Sequence, residues 1–468
     1  MNVLLITIDC LRRDRCGING HHRETTPTLD ALARDGFVFE NAYATGPVTT
    51  ESFPGILAGR LSAQCVAGDT LYQKCLPDGA PTIASHLRQN GWETTAVISN
   101  PRVGEHVGTG HGFSTFQNLR TQNEEFSDNS RFLPGPDFAI GENLYQLRER
   151  MRDFDSLPYR YEIPFLAFRY YQYLSGWPSV RGDKVVDTFL DAIDSHSSPF
   201  LAWTHLMDVH GPLHPRVVED GGLSDGKPLT QFRSHARRVG DIYDSRTEAR
   251  YDSSVRYVDK QIRRIVDWLK SNDIWNETSL VVTADHGEAL YDRGIYGHPQ
   301  HYMYDDLLSV PLVVRVPGRD GSHIARPFSL GWLHEIVTEL CGIGEIDPPL
   351  TSSYVRHLGP ASQTNDVLLA DSIDHRGHSI AARHGTLKYI TQSGDLGEGT
   401  ATNVGSSGFY HFEKNPKERQ PADETDADLR RAAREIRVDP GDLRKRTEST
   451  GVDAETVDRL KQLGYAEE

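Results

Sequence analysis

The 468-residue sequence predicts an α/β fold built on a large, mostly parallel sheet. Three observations carry that expectation. Short apolar runs rich in β-branched residues recur along the chain. Amphipathic segments lie between them. Polar residues able to do chemistry collect where the apolar runs stop.

The first run, "NVLLITID", ends in Asp9. "TTAVISN" ends in Asn100, "PFLAWTHLM" leads into Asp208 and His210, and "SLVVTADHG" ends in Asp285-His286-Gly287. "VPLVVRVPG" closes the series. Each reads as a buried strand, because a strand covered on both faces needs continuous apolar sequence rather than alternation. The clearest helix is "RYDSSVRYVDKQIRRIVDWLK", with Val255, Val258, Ile262, Ile265, Val266 and Leu269 at 3–4 spacing. Strands alternating with helices put helices on both faces of the sheet, and ligands in such folds collect at the carboxyl ends of the strands. Residues 114–180, including "FDSLPYRYEIPFLAFRYYQYL", are aromatic and irregular. They read either as an insertion lining a substrate cleft or as a helical excursion packing its aromatics. From about residue 345 short strands ("DVLLADS", "SIAARHGTLKYI") give way to a polar tail. The expected division is a catalytic domain over 1–344 and a smaller α+β subdomain over 345–468.

No 18-residue apolar run appears, so no membrane span is expected. The opening "MNVLLITIDCLRRDR" lacks the basic start, long apolar stretch and cleavage site of a signal peptide, which predicts a cytoplasmic protein. A net charge of −16 argues against nucleic acid or an anionic membrane as partner. The chain has 40 Arg against 10 Lys and 40 Asp against 26 Glu. Such an acidic, Lys-poor composition predicts a halophilic protein of a high-salt, haloarchaeal cytoplasm. A GC-rich genome explains the Arg but less well the acid. The five cysteines show no zinc-type spacing and read as reduced thiols, with a Cys65–Cys75 pairing left open.

Four stretches carry candidate chemistry. In "VVTADHGEAL", Asp285 and His286 at a strand end can share one divalent ion, with Gly287 allowing a tight turn; the alternative is a turn with a capping Asp. Asp9 ends another buried strand, where an acid needs a partner, unless it caps a helix starting near Leu11. "THLMDVHGPLHP" offers His205, Asp208, His210 and His214 for metal binding or acid catalysis, or as satisfied core residues. In "YGHPQHYMYDD", His298 and His301 are spaced to face one side of a helical turn, or are surface histidines. "PVTTESFPGILAGR" offers the hydroxyls of Thr49, Thr50 and Ser52 and no cysteine. It also reads as a helix N-terminus, where a hydroxyl caps and an anion is welcome.

Taken in order, "NVLLITIDCLRRDRCG", "TTPTLDALARDGFVFENAYA", "SFPGILAGR", "SNP" with "GHGFSTF", "FLAWTHLMDVHGP", "VVTADHGE", "MYDDLLSVPLVVRVPG", "FYHFEKNPKE" and "LKQLGYAEE" resemble the sulfatase family of the alkaline phosphatase superfamily. The resemblance runs almost end to end and is weakest over 114–180 and 420–450. It implies an alkaline phosphatase-like α/β/α sandwich and one divalent cation (Ca²⁺, Mn²⁺ or Mg²⁺). It also implies hydrolysis or transfer of sulfate or phosphate esters through a covalent intermediate. By position, Asp9, Asp285 and His286 resemble the metal ligands. Counting back from Gly59-Arg60 places the nucleophile, also a ligand, at Thr49, with Glu51 and Phe53 where the family has Pro and Arg. His210 resembles a histidine that contacts the transferred group or protonates the leaving oxygen. His298 or His301 falls where relatives place a His or Lys on that group. Asn100, and with it Asp208, is expected to line the substrate pocket.

Two departures qualify the resemblance. Thr49 cannot become the formylglycine of classical sulfatases, so none is expected. Cys10 replaces the second Asp of the family's usual pair. A Thr nucleophile is instead what phospho-transferring relatives such as the lipoteichoic acid synthase-like phosphoglycerol transferases use. The expected function is a sulfatase-like hydrolase acting through Thr49 on a small-molecule, glycan- or lipid-linked ester. The alternatives are a phosphoglycerol- or phosphoethanolamine-type transferase or phosphodiesterase, and an inactive relative that binds an anionic sugar.

Overall fold

Strands at the centre of a sheet covered by helices on both sides need two apolar faces, and the first apolar run meets that demand. In chain order the strands are β1 (Asn2–Ile8), β2 (Phe37–Tyr43), β3 (Val66–Ala67), β4 (Lys74–Cys75), β5 (Glu93–Ile98), β6 (Thr115–Asn118), β7 (Phe200–Leu206), β8 (Thr278–Ala284), β9 (Ala289–Leu290), β10 (Tyr296–Gly297), β11 (Ser309–Val310), β12 (Leu312–Arg315), β13 (His323–Ser329), β14 (Leu368–Asp374), β15 (Gly377–His384), β16 (Leu387–Gly394) and β17 (Gly408–His411). The computed structural model describes residues 1–67, 73–120, 180–196, 199–211, 213–224, 245–293, 295–343, 367–394, 407–412, 414–415 and 417–442.

The main sheet runs β11-β2-β12-β8-β1-β7-β5-β6, with β13 beside β2. Strands β8, β1, β7, β5 and β6 are parallel, while β12 opposes both β8 and β2. All seven positions of β1, β7 and β8 are buried. That is why these stretches read as continuous apolar runs. Register then sets the site. Ile8 lies opposite Leu206 on one side and Ala284 on the other, and Ile98 lies opposite His205. Asp9, Met207, Asp285 and Ser99 therefore leave the sheet at nearly one level.

Helices cover both faces. The predicted stripe of helix Ser245–Ser271 is buried, from Val255 at 1% exposure to Leu269 at 0%. This helix packs with Gly182–Ile193 and Pro27–Asp35. Thr49–Ala58, Ile83–Gln89 and Leu333–Cys341 form the other group. Gly55 is required in its helix, since a Cβ there would lie 2.1 Å from Thr45 Oγ1.

Three expectations need correction or limits. Residues 115–118 are not insertion but β6, the edge strand of the main sheet. The aromatic segment 121–179 and the tail beyond 442 lie outside the described residues. No helix starts near Leu11 for Asp9 to cap; a short 3₁₀ turn begins at Arg13 instead. All five cysteines are free thiols, with Cys65 and Cys75 in different apolar clusters.

Strands β14 to β17 form a four-stranded antiparallel sheet. Period-two alternation splits its faces: Ala381 and Ile390 join the main core, while Ile380 and Ala382 pack with Leu429 and Ala433 of helix Ala427–Glu435. Strand β14 is also stitched to the segment around Thr49. Asp371 accepts from the N–H groups of Ser62 and Ala63 at 2.8 Å, and its own N–H donates to the Thr45 carbonyl at 2.9 Å.

Candidate active site

Asp9 is the hub of the sheet's carboxyl edge. It is fully buried, and its N–H continues the ladder to the Leu206 carbonyl at 2.9 Å. Its Oδ2 faces Asn100 Nδ2 at 3.2 Å, His205 Nε2 at 3.3 Å and Thr49 Oγ1 at 3.4 Å. Burial pushes this carboxyl up, but the imidazoles of His210 and His205 override it and hold it well below the usual range. His205 is fixed from behind by Thr7 Oγ1 at 2.9 Å and lies edge-on to the Phe53 ring at 4.9 Å. Phe53 thus supports the histidine that faces Asp9.

The three hydroxyls separate cleanly. Thr49 opens the helix Thr49–Ala58, and its Oγ1 lies 3.2 Å from His286 Nε2 and 3.4 Å from Asp9 Oδ2. It caps nothing; the cap position is Val48, without a side-chain bond. Ser52 Oγ donates to the Asp285 carbonyl at 2.6 Å. Thr50 Oγ1 is buried without a hydrogen-bond partner. Only Thr49 faces the acid and the imidazole together.

His286 is held in one orientation. Its Nδ1 is 2.8 Å from the Gly287 carbonyl, which can only accept, so Nδ1 donates there and Nε2 is the nitrogen turned to the site. Nε2 faces Asp9 Oδ1 at 3.8 Å and Asp285 Oδ2 at 3.5 Å. Asp285 Oδ1 accepts from the N–H groups of His286 at 2.9 Å and Cys10 at 3.3 Å. Gly287 serves here by its bare Cα rather than by a glycine-only turn. A Cβ would lie 2.1 Å from the Asp306 carbonyl, and the Gly287 N–H donates to Leu307 O at 2.7 Å.

His298 and His301 diverge. No helix joins them, Pro299 lies between, and His301 takes a left-handed φ of 66°. His301 turns to Asp374 at 3.0 Å and Ser379 at 3.0 Å, on the C-terminal sheet. His298 goes to the site, its ring 4.9 Å from that of His286 and 4.8 Å from that of His210. Its Nδ1 meets Glu288 Oε2 at 3.2 Å, delivered by the small β9–β10 pairing. Burial alone would lower the His298 pKa, but the Glu288 carboxylate overrides it and holds it up at about 9. His210, lowered by burial, has a buried Nδ1 without a partner.

Glu288 passed unnoticed in the sequence because it reads as one more acid after a turn. Glu288→Gln should keep the fold and cut turnover about 10–100-fold, the usual cost of losing a group that orients a functional histidine. Steady-state kinetics beside a thermal melt checks this.

The two residues expected on the substrate are engaged within the protein. Asn100 gives its amide to Asp9 and accepts from Arg102 N at 3.0 Å. Asp208 accepts from Gly182 N at 3.0 Å, at the start of helix Gly182–Ile193, and its Oδ2 is buried without a partner. His214 caps helix Pro215–Gly221. Burial pushes the Asp208 carboxyl up to about 7, against the pull of the Gly182 N–H. Its pKa is thus raised on folding above roughly 3.9. Its stabilising contribution is full below that value and is lost as pH rises through about 7. Asp208→Asn should therefore gain melting temperature relative to wild type as pH goes from about 5 to 8. A pH series of melts tests the sign.

The donor set fits a cation. Asp9, Asp285 and His286 offer ligand atoms within 4.8 Å of one another, and Asp285 Oδ2 is buried with no hydrogen-bond partner. Leaving such an oxygen unsatisfied costs about 1–3 kcal/mol or more, which a bound cation would remove.

A sulfatase family model matches residues 1–337. The chain belongs to the sulfatase family. Among curated sulfatases it is 25% identical to human iduronate 2-sulfatase over 69% of this chain and 60% of that one. It therefore spans less than two thirds of that relative's length. It is 24% identical to an arylsulfatase of Clostridium perfringens over 89% of each chain. The solved phosphonate monoester hydrolase of Agrobacterium radiobacter superposes with a TM-score of 0.61 at 17% identity, covering 100% of this chain and 97% of that one. The alkaline phosphatase-like α/β/α fold expected from the sequence is borne out by this likeness. No helix among the described residues is long and apolar enough to cross a membrane.

Proposed function

We propose that this sulfatase-family protein is a metal-dependent hydrolase of sulfuric or phosphoric esters in which Thr49 carries the transferred group. One observation supports this above the rest: of three neighbouring hydroxyls, Thr49 Oγ1 alone lies against both Asp9 and His286. Asp9, Asp285, His286 and Thr49 would hold the cation, whose charge acidifies the hydroxyl and offsets that of the group in transfer. Formylglycine has no place in this scheme.

Thr49 Oγ1, its proton lost to solvent, forms the new bond to sulfur or phosphorus as the bond to the ester oxygen breaks. The departing oxygen takes a proton from His298, kept as imidazolium by Glu288, with His210 beside it. Water then attacks the Thr49 ester. His298, now neutral, accepts the water's proton, the bond from Thr49 Oγ1 to sulfur or phosphorus breaks, and Oγ1 takes back a proton from solvent as sulfate or phosphate leaves. An acceptor alcohol in place of water would make the same site a transferase. His301, in the loop after β10 and bonded to Asp374 and Ser379 of the C-terminal sheet, acts only through the loop it anchors. We read residues 345–468 as the smaller C-terminal subdomain, and the acidic, Lys-poor composition as that of a halophilic cytoplasmic protein acting on a small-molecule or glycan-linked ester. Thermal unfolding should accordingly move upward in molar KCl.

The test is turnover of an aryl sulfate, a phosphate monoester and a phosphodiester in molar KCl, with and without each divalent ion. Cleavage of one class, dependent on the ion, is expected. Bound ion with no cleavage of any class would favour the anionic-sugar binder.

A further inference from the structure

A centre for a hard cation is built from oxygen atoms alone, and this one brings a sulfur and ring nitrogens beside its carboxylates. Cys10 stands beside Asp9, fully buried, with Sγ 2.9 Å from Asp9 Oδ1 and 3.5 Å from His298 Nδ1. Its sulfur also clusters within 4.8 Å of ring nitrogens on His286 and His298, and a second such cluster joins it to Asp9 and His210. The backbone here is unusual. Cys10 has a φ of 63°, a left-handed conformation that Asn, Asp and Gly adopt most readily. It is pinned there by the Tyr251 hydroxyl, which donates to the Cys10 carbonyl and accepts from Arg12 N at 2.9 Å, and by Asp285 Oδ1 on the Cys10 N–H. The turn thus aims the sulfur inward. The orphaned, buried Asp285 Oδ2, 3.5 Å from His286 Nε2, independently marks a place for a cation at the imidazole that also neighbours the Cys10 sulfur.

We propose that Cys10 is a metal ligand, binding as thiolate beside Asp9, Asp285 and His286, and that it makes the centre one for a zinc-class ion rather than calcium or magnesium. The inference rests on the cation site proposed above. Thiolate and imidazole select borderline and soft ions, whereas Ca²⁺ and Mg²⁺ take oxygen. Without an ion the thiol donates to Asp9 Oδ1. Binding breaks the S–H bond, forms a metal–sulfur bond and releases one proton to solvent.

The experiment loads the purified full chain, stripped with chelator, with Co²⁺ and records its absorption. It also measures Zn²⁺ and Ca²⁺ binding by calorimetry for wild type, Cys10→Ser and Cys10→Asp. Wild type should show the near-ultraviolet thiolate-to-cobalt charge-transfer band and prefer Zn²⁺. Cys10→Ser should lose the band while keeping the visible cobalt bands, and should bind Zn²⁺ about 10–100-fold more weakly. Cys10→Asp, suited to the left-handed turn, should shift preference toward Ca²⁺. Cobalt bound to wild type without the charge-transfer band, or a Zn²⁺ to Ca²⁺ preference unchanged in both variants, would overturn the proposal while leaving the cation site standing. Failure of folded wild type to bind any ion would overturn both.

Discussion

Thr49→Ala is expected to lower turnover by about 10⁴–10⁶-fold, the scale on which loss of a nucleophile is felt. The effect should be chemical rather than structural. Thr49 is the first residue of a helix whose ten positions are all buried, and its hydroxyl caps no backbone group. Alanine is a better helix former than threonine, and the void left is small. The melting temperature of the ion-free protein should therefore move little. Thr49→Ser, which keeps the hydroxyl, should retain part of the activity. Ser52→Ala is the informative contrast. It removes a bond to the Asp285 carbonyl and should reduce activity modestly while lowering stability by about 1–3 kcal/mol.

Asp9→Asn should be nearly as damaging to activity, for a different reason. The Asp9 carboxylate faces Thr49, Asn100, His205 and Cys10 at once, and it is one of the three groups fitted to the cation. Asparagine has the same shape but turns one acceptor oxygen into an N–H donor, so it repels the donors it meets and gives no charge to a cation. Turnover should fall about 10³-fold or more, on the scale of losing a catalytic electrostatic group. The second readout is stability. An ion at 100 times its dissociation constant raises wild-type stability by about 2.7 kcal/mol. That ion-dependent rise in melting temperature should vanish in Asp9→Asn. A variant that kept it would place the ion elsewhere.

Much of this site was legible in the sequence because strand ends are. Asp9 and Asp285 each follow seven buried residues, and the register between β1 and β8 brings them level. The resemblance points to Thr49 by counting back from Gly59-Arg60, and the geometry sets its hydroxyl apart from those of Thr50 and Ser52. What was not legible depends on contacts between distant segments. Glu288 gains meaning only when the β9–β10 pairing folds His298 back onto it. His205 sits inside a strand, where its Thr7 and Asp9 partners are nearly 200 positions away. Glu51, which reads as a motif mismatch, is a fully buried acid tied to Ile373 N at 3.1 Å and facing Lys74 at 3.6 Å. It joins the helix Thr49–Ala58 to the C-terminal sheet. Asp208 looks like a site residue by position, but its side chain turns to a helix start that no local pattern announces.

The most direct test of the central claim is mass spectrometry of the wild-type protein, acid-quenched during turnover and digested. A single sulfuryl or phosphoryl adduct located on Thr49, absent from Thr49→Ala, is the expected result. An adduct on Thr50 or Ser52, or turnover at full rate with no adduct on any residue, would contradict it.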